Sequence, residues 1–240
     1  MEEIAVVTGA GGGIGKAVSL MIHDKSGGAL KLALCDINEK SISELASRIP
    51  GSFAVASDIT TELGRKALLD AVLGQGAPSV LVNNAGVDKP HEPALAIQEP
   101  SYDVLLGLNL KAPAFLMKSF GKEMAASGGG AIVNISSVLA RHALTGSALY
   151  RAGKAALEAL TKQFAMELGP RGVRVNAVAP GFIMTPMTEG IPPETKEKIR
   201  SMVALGEFGA PEAVAEAVWH LIENQYINGA VLPVDGGMAL

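Results

Sequence analysis

Tyr150 and Lys154 lie four residues apart in a stretch of helical period, Ser147 to Leu168. On a helix that spacing projects both side chains from one face, with Cβ atoms about 5–6 Å apart. A phenol whose ordinary pKa is about 10 is a poor acid–base catalyst at neutral pH, and a neighbouring ammonium favours the phenolate and lowers that value. Together the two make a candidate proton exchanger. Ser137, thirteen residues before Tyr150 and just beyond an apolar run, brings a hydroxyl into the same part of the chain. Taken singly, each residue has a plain reading as packing, a solvated cation or a turn former. A nucleotide-type turn upstream gives the combination its chemical weight.

That turn is Thr8-Gly9-Ala10-Gly11-Gly12-Gly13-Ile14-Gly15, which follows an apolar run and leads directly into a helical pattern. Glycines there permit positive φ, let a phosphate approach bare backbone and let the helix start sit close to the strand, while the free N–H groups of the helix end complement an anion. A Walker loop ending at Gly15-Lys16 would need glycine at 10 and a hydroxyl residue at 17, where the chain has Ala10 and Ala17. The plain G-x-G-x-x-G spacing also fails, because its third glycine falls on Ile14. Asp36 stands 21 positions after Gly15, near the roughly 20 residues expected for a carboxylate that accepts from adenosine ribose hydroxyls. Such charge-assisted bonds contribute about 1.5–3 kcal/mol, and the same carboxylate repels a 2′-phosphate. NAD is therefore expected over NADP. Capping of the next turn is the other reading of Asp36, and Lys16 is a cation that could soften the repulsion.

The elements that must position these groups follow from hydrophobic period. Apolar runs at Ile4–Thr8, Lys31–Asp36, Ser52–Ser57, Ser79–Asn83, Gly130–Ser136, Gly172–Val178 and Ala230–Val234 predict strands, most of them apolar on both faces. Helical stretches alternate with them: one beginning at Ile14, then Glu39–Arg48, Thr61–Leu73, Tyr102–Ala126, Ser147–Leu168 and Pro211–Glu223. This rhythm predicts an α/β fold, a single-domain doubly wound (Rossmann) parallel sheet of about seven strands with helices on both faces, spanning 1–240. The Pro-rich stretch 185–205 breaks the rhythm and is expected to be an insertion covering the substrate.

Composition narrows the function. With 240 residues, 48% hydrophobic and 18% charged, the chain can bury a sizeable core, and a net charge of −4 without a basic cluster argues against nucleic acid as partner. Its two longest charge-free stretches, 71–87 and 124–140, are broken by Gly, Asn, Pro or Ser, so no membrane span is expected. An acidic start, Met1-Glu2-Glu3, does not read as a secretory leader, and a cytoplasmic protein is expected. Cys35 stands alone and the four histidines are scattered, so no metal site is expected.

Asn83-Asn84-Ala85-Gly86 closes the fourth run, Ser137 follows the fifth, Tyr150-Arg151-Ala152-Gly153-Lys154 opens a helix, and Val234-Asp235-Gly236-Gly237 nearly ends the chain. In this order the motifs resemble the short-chain dehydrogenase/reductase family over almost the whole chain. The resemblance implies hydride transfer between a nicotinamide and a carbinol or carbonyl carbon. It implies that Ser137 polarises the substrate oxygen, that Lys154 also bonds the nicotinamide ribose, and that Asn109 holds a water relaying protons to Lys154. The implied cofactor residues are Gly9, Gly13, Ile14 and Gly15 at the phosphates, Asp36 at the ribose, and Asp58 and Ile59 beside adenine. Asn83, Ala85 and Gly86 are implied under the adenosine ribose, Tyr150 and Lys154 at the nicotinamide ribose, and Pro180, Gly181, Ile183 and Thr185 in the loop holding the carboxamide. A homotetramer or homodimer is implied as well.

Within the family the chain looks most like the 3-oxoacyl-ACP reductase group, which makes a 3-oxoacyl thioester the best substrate expectation. The stretch Ala125–Ala131 lacks that group's basic residues for an acidic carrier, and Glu207 stands where Arg is usual. Arg171 and Arg174 are left either for an anionic partner or as plain surface charges. Leu139, Leu144, Phe182, Met184 and Met187 suggest an apolar pocket, with Arg141 and His142 near a polar group. A dehydrogenase of a small cyclic or steroid-like alcohol and a catalytically silent nucleotide-binding scaffold are the competing readings.

Overall fold

The computed structural model describes residues 2–239. Seven parallel strands form one sheet in the order β3-β2-β1-β4-β5-β6-β7: β1 Glu3–Thr8, β2 Lys31–Asp36, β3 Phe53–Ala56, β4 Ala77–Asn83, β5 Gly130–Ile135, β6 Val173–Pro180 and β7 Val231–Val234. The helices are α1 Gly13–Lys25, α2 Glu39–Ala46, α3 Glu62–Leu73, α4 Glu99–Leu106, α5 Ala112–Ala126, α6 Ala148–Leu168, α7 Pro186–Glu189, α8 Pro193–Met202 and α9 Pro211–Glu223. Helices cover both faces, which is why the strands read as unbroken apolar runs; all eight residues of β6 are buried. One core lies between the sheet and α1, α2 and α9, around Val18, Ile22, Ile42, Val214 and Val218. On the other face, Leu68, Leu116, Phe120 and Leu157 from α3, α5 and α6 pack against Ile4, Val6, Leu81 and Ile132.

Strand order reverses between β1 and β4, so the chain leaves those two strands in opposite directions and opens a crevice beyond their carboxyl ends. The glycine turn, the Asn83–Gly86 turn and Ser137 all lie at that edge. Gly9 has φ +64°, which favours glycine, and a Cβ at Gly15 would fall 2.1 Å from the Gly9 carbonyl oxygen.

One predicted helix differs. Tyr102–Ala126 is not uniform: α4 and α5 are joined by a π-helical turn, Gly107–Lys111, in which the Ala112 N–H donates to the Gly107 carbonyl. Pro113 lacks the N–H that an α-helix would send back to Asn109, so the regular ladder cannot hold there. Asn109 stands in the middle of this turn, buried.

Arg174 is not a plain surface charge. Its buried guanidinium donates to the Leu221, Ile222 and Ile227 carbonyls at 2.7, 2.6 and 3.3 Å, closing the carboxyl end of α9. Arg171 is exposed. The Pro-rich stretch folds as α7 and α8 and is tied at its base: Met184 N–H donates to the Gly209 carbonyl at 2.8 Å, and Leu205 N–H to Gly236 at 3.0 Å.

Candidate active site

A cavity of about 450 Å³ lies at the switch point, and a second lobe of about 320 Å³ shares Gly9, Asp36, Ala85 and Gly86 with it. The two adjoin as one groove. Gly13, Ile14 and Gly15 line the first lobe. The amino terminus of α1 has no side-chain cap and no acidic residue in its first turn, so its N–H groups remain open to an anion. Asp58 and Ile59 line the second lobe, where one Asp58 oxygen already accepts from the Thr60 N–H and hydroxyl. Pro180, Gly181, Ile183 and Thr185 line the far wall of the first.

Asp36 sits where the lobes meet. One carboxylate oxygen accepts from the Gly11 N–H and the other from the Asn38 N–H, both at 3.0 Å. Capping the turn and facing the groove are therefore the same arrangement, since each oxygen keeps a further lone pair for a hydroxyl. Among the described residues no Lys or Arg, Lys16 included, pairs with it.

Asn83 departs from its expected place. Its side chain is buried under the sheet and donates to Asn134 Oδ1 at 2.8 Å, which in turn reaches Thr161. It lines neither lobe. Asn84, a member of the same motif with no role expected from the sequence, lines the groove and donates to the Thr8 and Gly9 carbonyls at 2.9 and 3.0 Å. The strand's two-residue alternation is the signal that separates them: one asparagine of the doublet must face the helix layer and the other the turn.

At the catalytic end, Ser137, Tyr150 and Lys154 line one wall. Lys154 Nζ is buried, donates to the Ile135 carbonyl at 2.7 Å and lies 5.7 Å from the Tyr150 ring centroid. Asn109 stands behind Gly86, where an added Cβ would meet Asn109 Oδ1 at 2.8 Å and Lys154 Nζ at 3.3 Å. Its amide is occupied by Val87, accepting from the N–H at 3.1 Å and donating to the carbonyl at 2.6 Å. Ser136 donates to Glu158 at 3.0 Å, and Arg141 pairs with the same carboxylate at 3.3 Å. This pins the strand end carrying Ser137 to α6. Arg141 thus serves the scaffold, and neither it nor His142 lines the cavity.

The shift expected of the phenol is reversed in this protein, and burial is the reason. Burial pushes Tyr150 up to about 12, the nearby Ser137 hydroxyl opposes the rise, and the Asp88 carboxylate adds to it. Burial also pulls Lys154 down to about 8, weakening the charge that was to favour phenolate. Above about 8 the unfolded chain holds a proton on this lysine that the folded chain has lost, up to the ordinary value of 10.5, so stability rises with pH through that window. Measured by urea denaturation without nucleotide, wild type is expected to gain stability relative to Lys154→Met between about pH 8 and 10. A difference that stays flat would contradict the buried ammonium.

Leu139 and Phe182 pack with Val138, Val203 and Met238, Met184 is exposed, and none of these, nor Leu144, lines the cavity. The side chain of Met187 lies outside the described residues. Asp88 and Thr188 line the cavity instead.

A doubly wound sheet with an open glycine turn, a carboxylate at the end of β2 and a Ser-Tyr-Lys wall defines a dinucleotide-type oxidoreductase scaffold. The comparisons give the particular family. A family model described as enoyl-(acyl carrier protein) reductase matches residues 9–239. The 3-oxoacyl-(acyl-carrier-protein) reductase FabG of Thermotoga maritima is 35% identical over 99% of this chain and 98% of its own. A (3R)-3-hydroxyacyl-CoA dehydrogenase of Mus musculus is 34% identical, covering 99% and 96%. The cis-4-hydroxycyclohexanecarboxylate dehydrogenase of Sinomonas cyclohexanicum is 33% identical, covering 98% and 96%. A crystal structure from Sinorhizobium meliloti 1021, assigned as a short-chain alcohol dehydrogenase, superposes with TM-score 0.92 at 28% identity over 98% of this chain and 96% of that one. The chain belongs to the short-chain dehydrogenase/reductase family and is an oxidoreductase acting on CH–OH donors.

Proposed function

We propose that the protein is an NAD(H)-dependent oxidoreductase that interconverts a secondary alcohol and a ketone, with a 3-oxoacyl thioester as its substrate class. The observation that carries the reading is the convergence of Ser137, Tyr150 and Lys154 at one end of a groove whose middle holds Asp36. Bound NAD(H) supplies or accepts the hydride at the substrate carbon. Gly9, Gly13, Ile14 and Gly15 hold its phosphates, and Asp36 the adenosine ribose. Asp58 and Ile59 flank the adenine, and Ala85 and Gly86 support the adenosine ribose from below. Pro180, Gly181, Ile183 and Thr185 hold the carboxamide.

The chain's own groups handle the proton. Ser137 donates a hydrogen bond to the substrate oxygen, and Tyr150 gives that oxygen its proton in reduction or takes it in oxidation. The raised phenol pKa suits the first role: Tyr150 enters the reduction as an acid. Lys154 spends one donor on Ile135 and keeps the others for the nicotinamide ribose and for a water. With no Pro113 N–H directed at it, the Asn109 carbonyl can anchor that water. The segment 185–205, with Thr185, Pro186 and Thr188 at the rim, covers the substrate. Tyr102, Val104 and Phe115 leave apolar surface exposed on α4 and α5, which supports self-association into a dimer or tetramer. Among the described residues no helix is long and apolar enough to cross a membrane.

Consumption of NADH over a panel of ketones and 3-oxoacyl thioesters tests the reading. The thioesters are expected to give the highest kcat/KM, with NADH used better than NADPH. Turnover of cyclic ketones with none of the thioesters would overturn the substrate class.

A further inference from the structure

One carboxylate at the catalytic end has no part in the roles above. Asp88 follows Val87, whose N–H and carbonyl are both bonded to the buried Asn109 amide. A few residues on, the Glu92 N–H donates to the Gly146 carbonyl at 3.2 Å, and the Glu92 carboxylate accepts from the Ser101 hydroxyl at 2.9 Å and the Gln98 N–H at 3.2 Å. The segment is held at both ends, so Asp88 is part of a fixed wall. Its side chain is 30% exposed and opens onto the cavity lined by Ser137 and Tyr150.

The charge there is poorly compensated. Among the described residues the one side chain that pairs with it is His91, with Nε2 at 3.5 Å on a side chain 48% exposed, and no lysine or arginine does. Only two other charged side chains line this cavity: Asp36, at the glycine turn, and Lys154, which is turned toward the Ile135 carbonyl. Among the described residues no arginine lines this cavity. Asp88 and Tyr150 line the same cavity, and the carboxylate adds to the rise of the phenol pKa that burial causes. A substrate carboxylate beside the reacting carbon meets a like charge in a partly desolvated site, whereas the thioester of the same acid carries none.

We propose that Asp88 is a specificity-determining residue that excludes carboxylates from the reacting end and admits the neutral thioesters or esters of the same acids. The proposal rests on the reading of this cleft as the alcohol–ketone site, and it predicts that a 3-oxo acid is taken only in its masked form.

The near-isosteric variant Asp88→Asn removes the charge and keeps the shape. Two matched pairs serve as probes at neutral pH with NADH: the N-acetylcysteamine thioester of 3-oxobutanoate against the free acid, and methyl 2-oxocyclohexanecarboxylate against its free acid. In whichever skeleton is reduced, wild type is expected to favour the neutral member by about tenfold or more in kcat/KM, and Asp88→Asn to lose about tenfold of that preference through faster use of the acid. Equal preference in the two proteins overturns the proposal. Reduction of the cyclohexanone pair alone defeats the thioester reading and leaves Asp88 to be decided on that pair.

A readout without substrate completes the test. The ultraviolet phenolate signal of Tyr150, taken as the difference from Tyr150→Phe in each background, is expected to titrate at lower pH in Asp88→Asn than in wild type. An unchanged midpoint shows that the charge does not reach the reacting oxygen, which overturns the proposal.

Discussion

Tyr150→Phe is expected to bind NADH as wild type does and to lose turnover by a factor on the order of 10²–10⁴, the usual contribution of a positioned acid–base group. The variant is chosen for what it leaves in place. Its ring keeps its position over Lys154 at the cleft wall, so packing and the 5.7 Å approach of Nζ survive. Only the phenolic oxygen goes, and with it the proton donor to the nascent alkoxide and the neighbour of the Ser137 hydroxyl. Loss should therefore appear in kcat, measured by stopped-flow NADH absorbance, with nucleotide affinity from fluorescence quenching changed by less than about twofold. Turnover within about threefold of wild type would remove Tyr150 from the chemistry.

Replacement of Asp36 by Ala should move the NAD to NADP preference by about tenfold to 150-fold toward NADP, as charge-assisted bonds of about 1.5–3 kcal/mol are lost. Two effects add in the same direction. The ribose hydroxyls of NAD lose their acceptor, and the 2′-phosphate of NADP no longer faces a carboxylate that lacks a pairing cation. Because Asp36 also accepts from the Gly11 N–H, some looseness of the glycine turn will weaken both nucleotides. The ratio of kcat/KM for the two, rather than either alone, is the informative quantity. An unchanged ratio would place the ribose elsewhere.

Much of the scaffold was legible in the residues. Strands buried on both faces read as continuous apolar runs, and β6, with every residue buried, is the plainest of them. Amphipathic helices declared themselves by their stripes, and the glycine turn by its place between a strand and a helix. Features that depend on how the elements come together were hidden. The π turn at Gly107–Lys111 changes the helical period too briefly to show, and Pro113 was its one local sign. Asn83 and Asn84 differ only in the face to which strand alternation assigns them. Arg174 sits beside apolar strand residues, and only the arrival of α9 gives its guanidinium three carbonyls.

The sign of the Tyr150 shift was hidden for a different reason. From spacing alone, a neighbouring ammonium is the one visible influence on the phenol, and it lowers the pKa. Burial is a tertiary property, and in this cleft it dominates both groups. The stretch 87–92 reads in the sequence as part of the substrate surroundings, but Asp88 has no role of its own there: an acidic residue in a loop gains meaning only when the loop is seen to wall the cavity.

A crystal structure with NAD and a slowly turned-over alcohol bound would test the convergence of Ser137, Tyr150 and Lys154 most directly. The expected result places the alcohol oxygen within about 3.2 Å of both the Ser137 and Tyr150 hydroxyls, with Lys154 on the nicotinamide ribose. An alcohol oxygen beyond reach of both hydroxyls, or a nucleotide bound outside the Gly9–Asp36 groove, would contradict it.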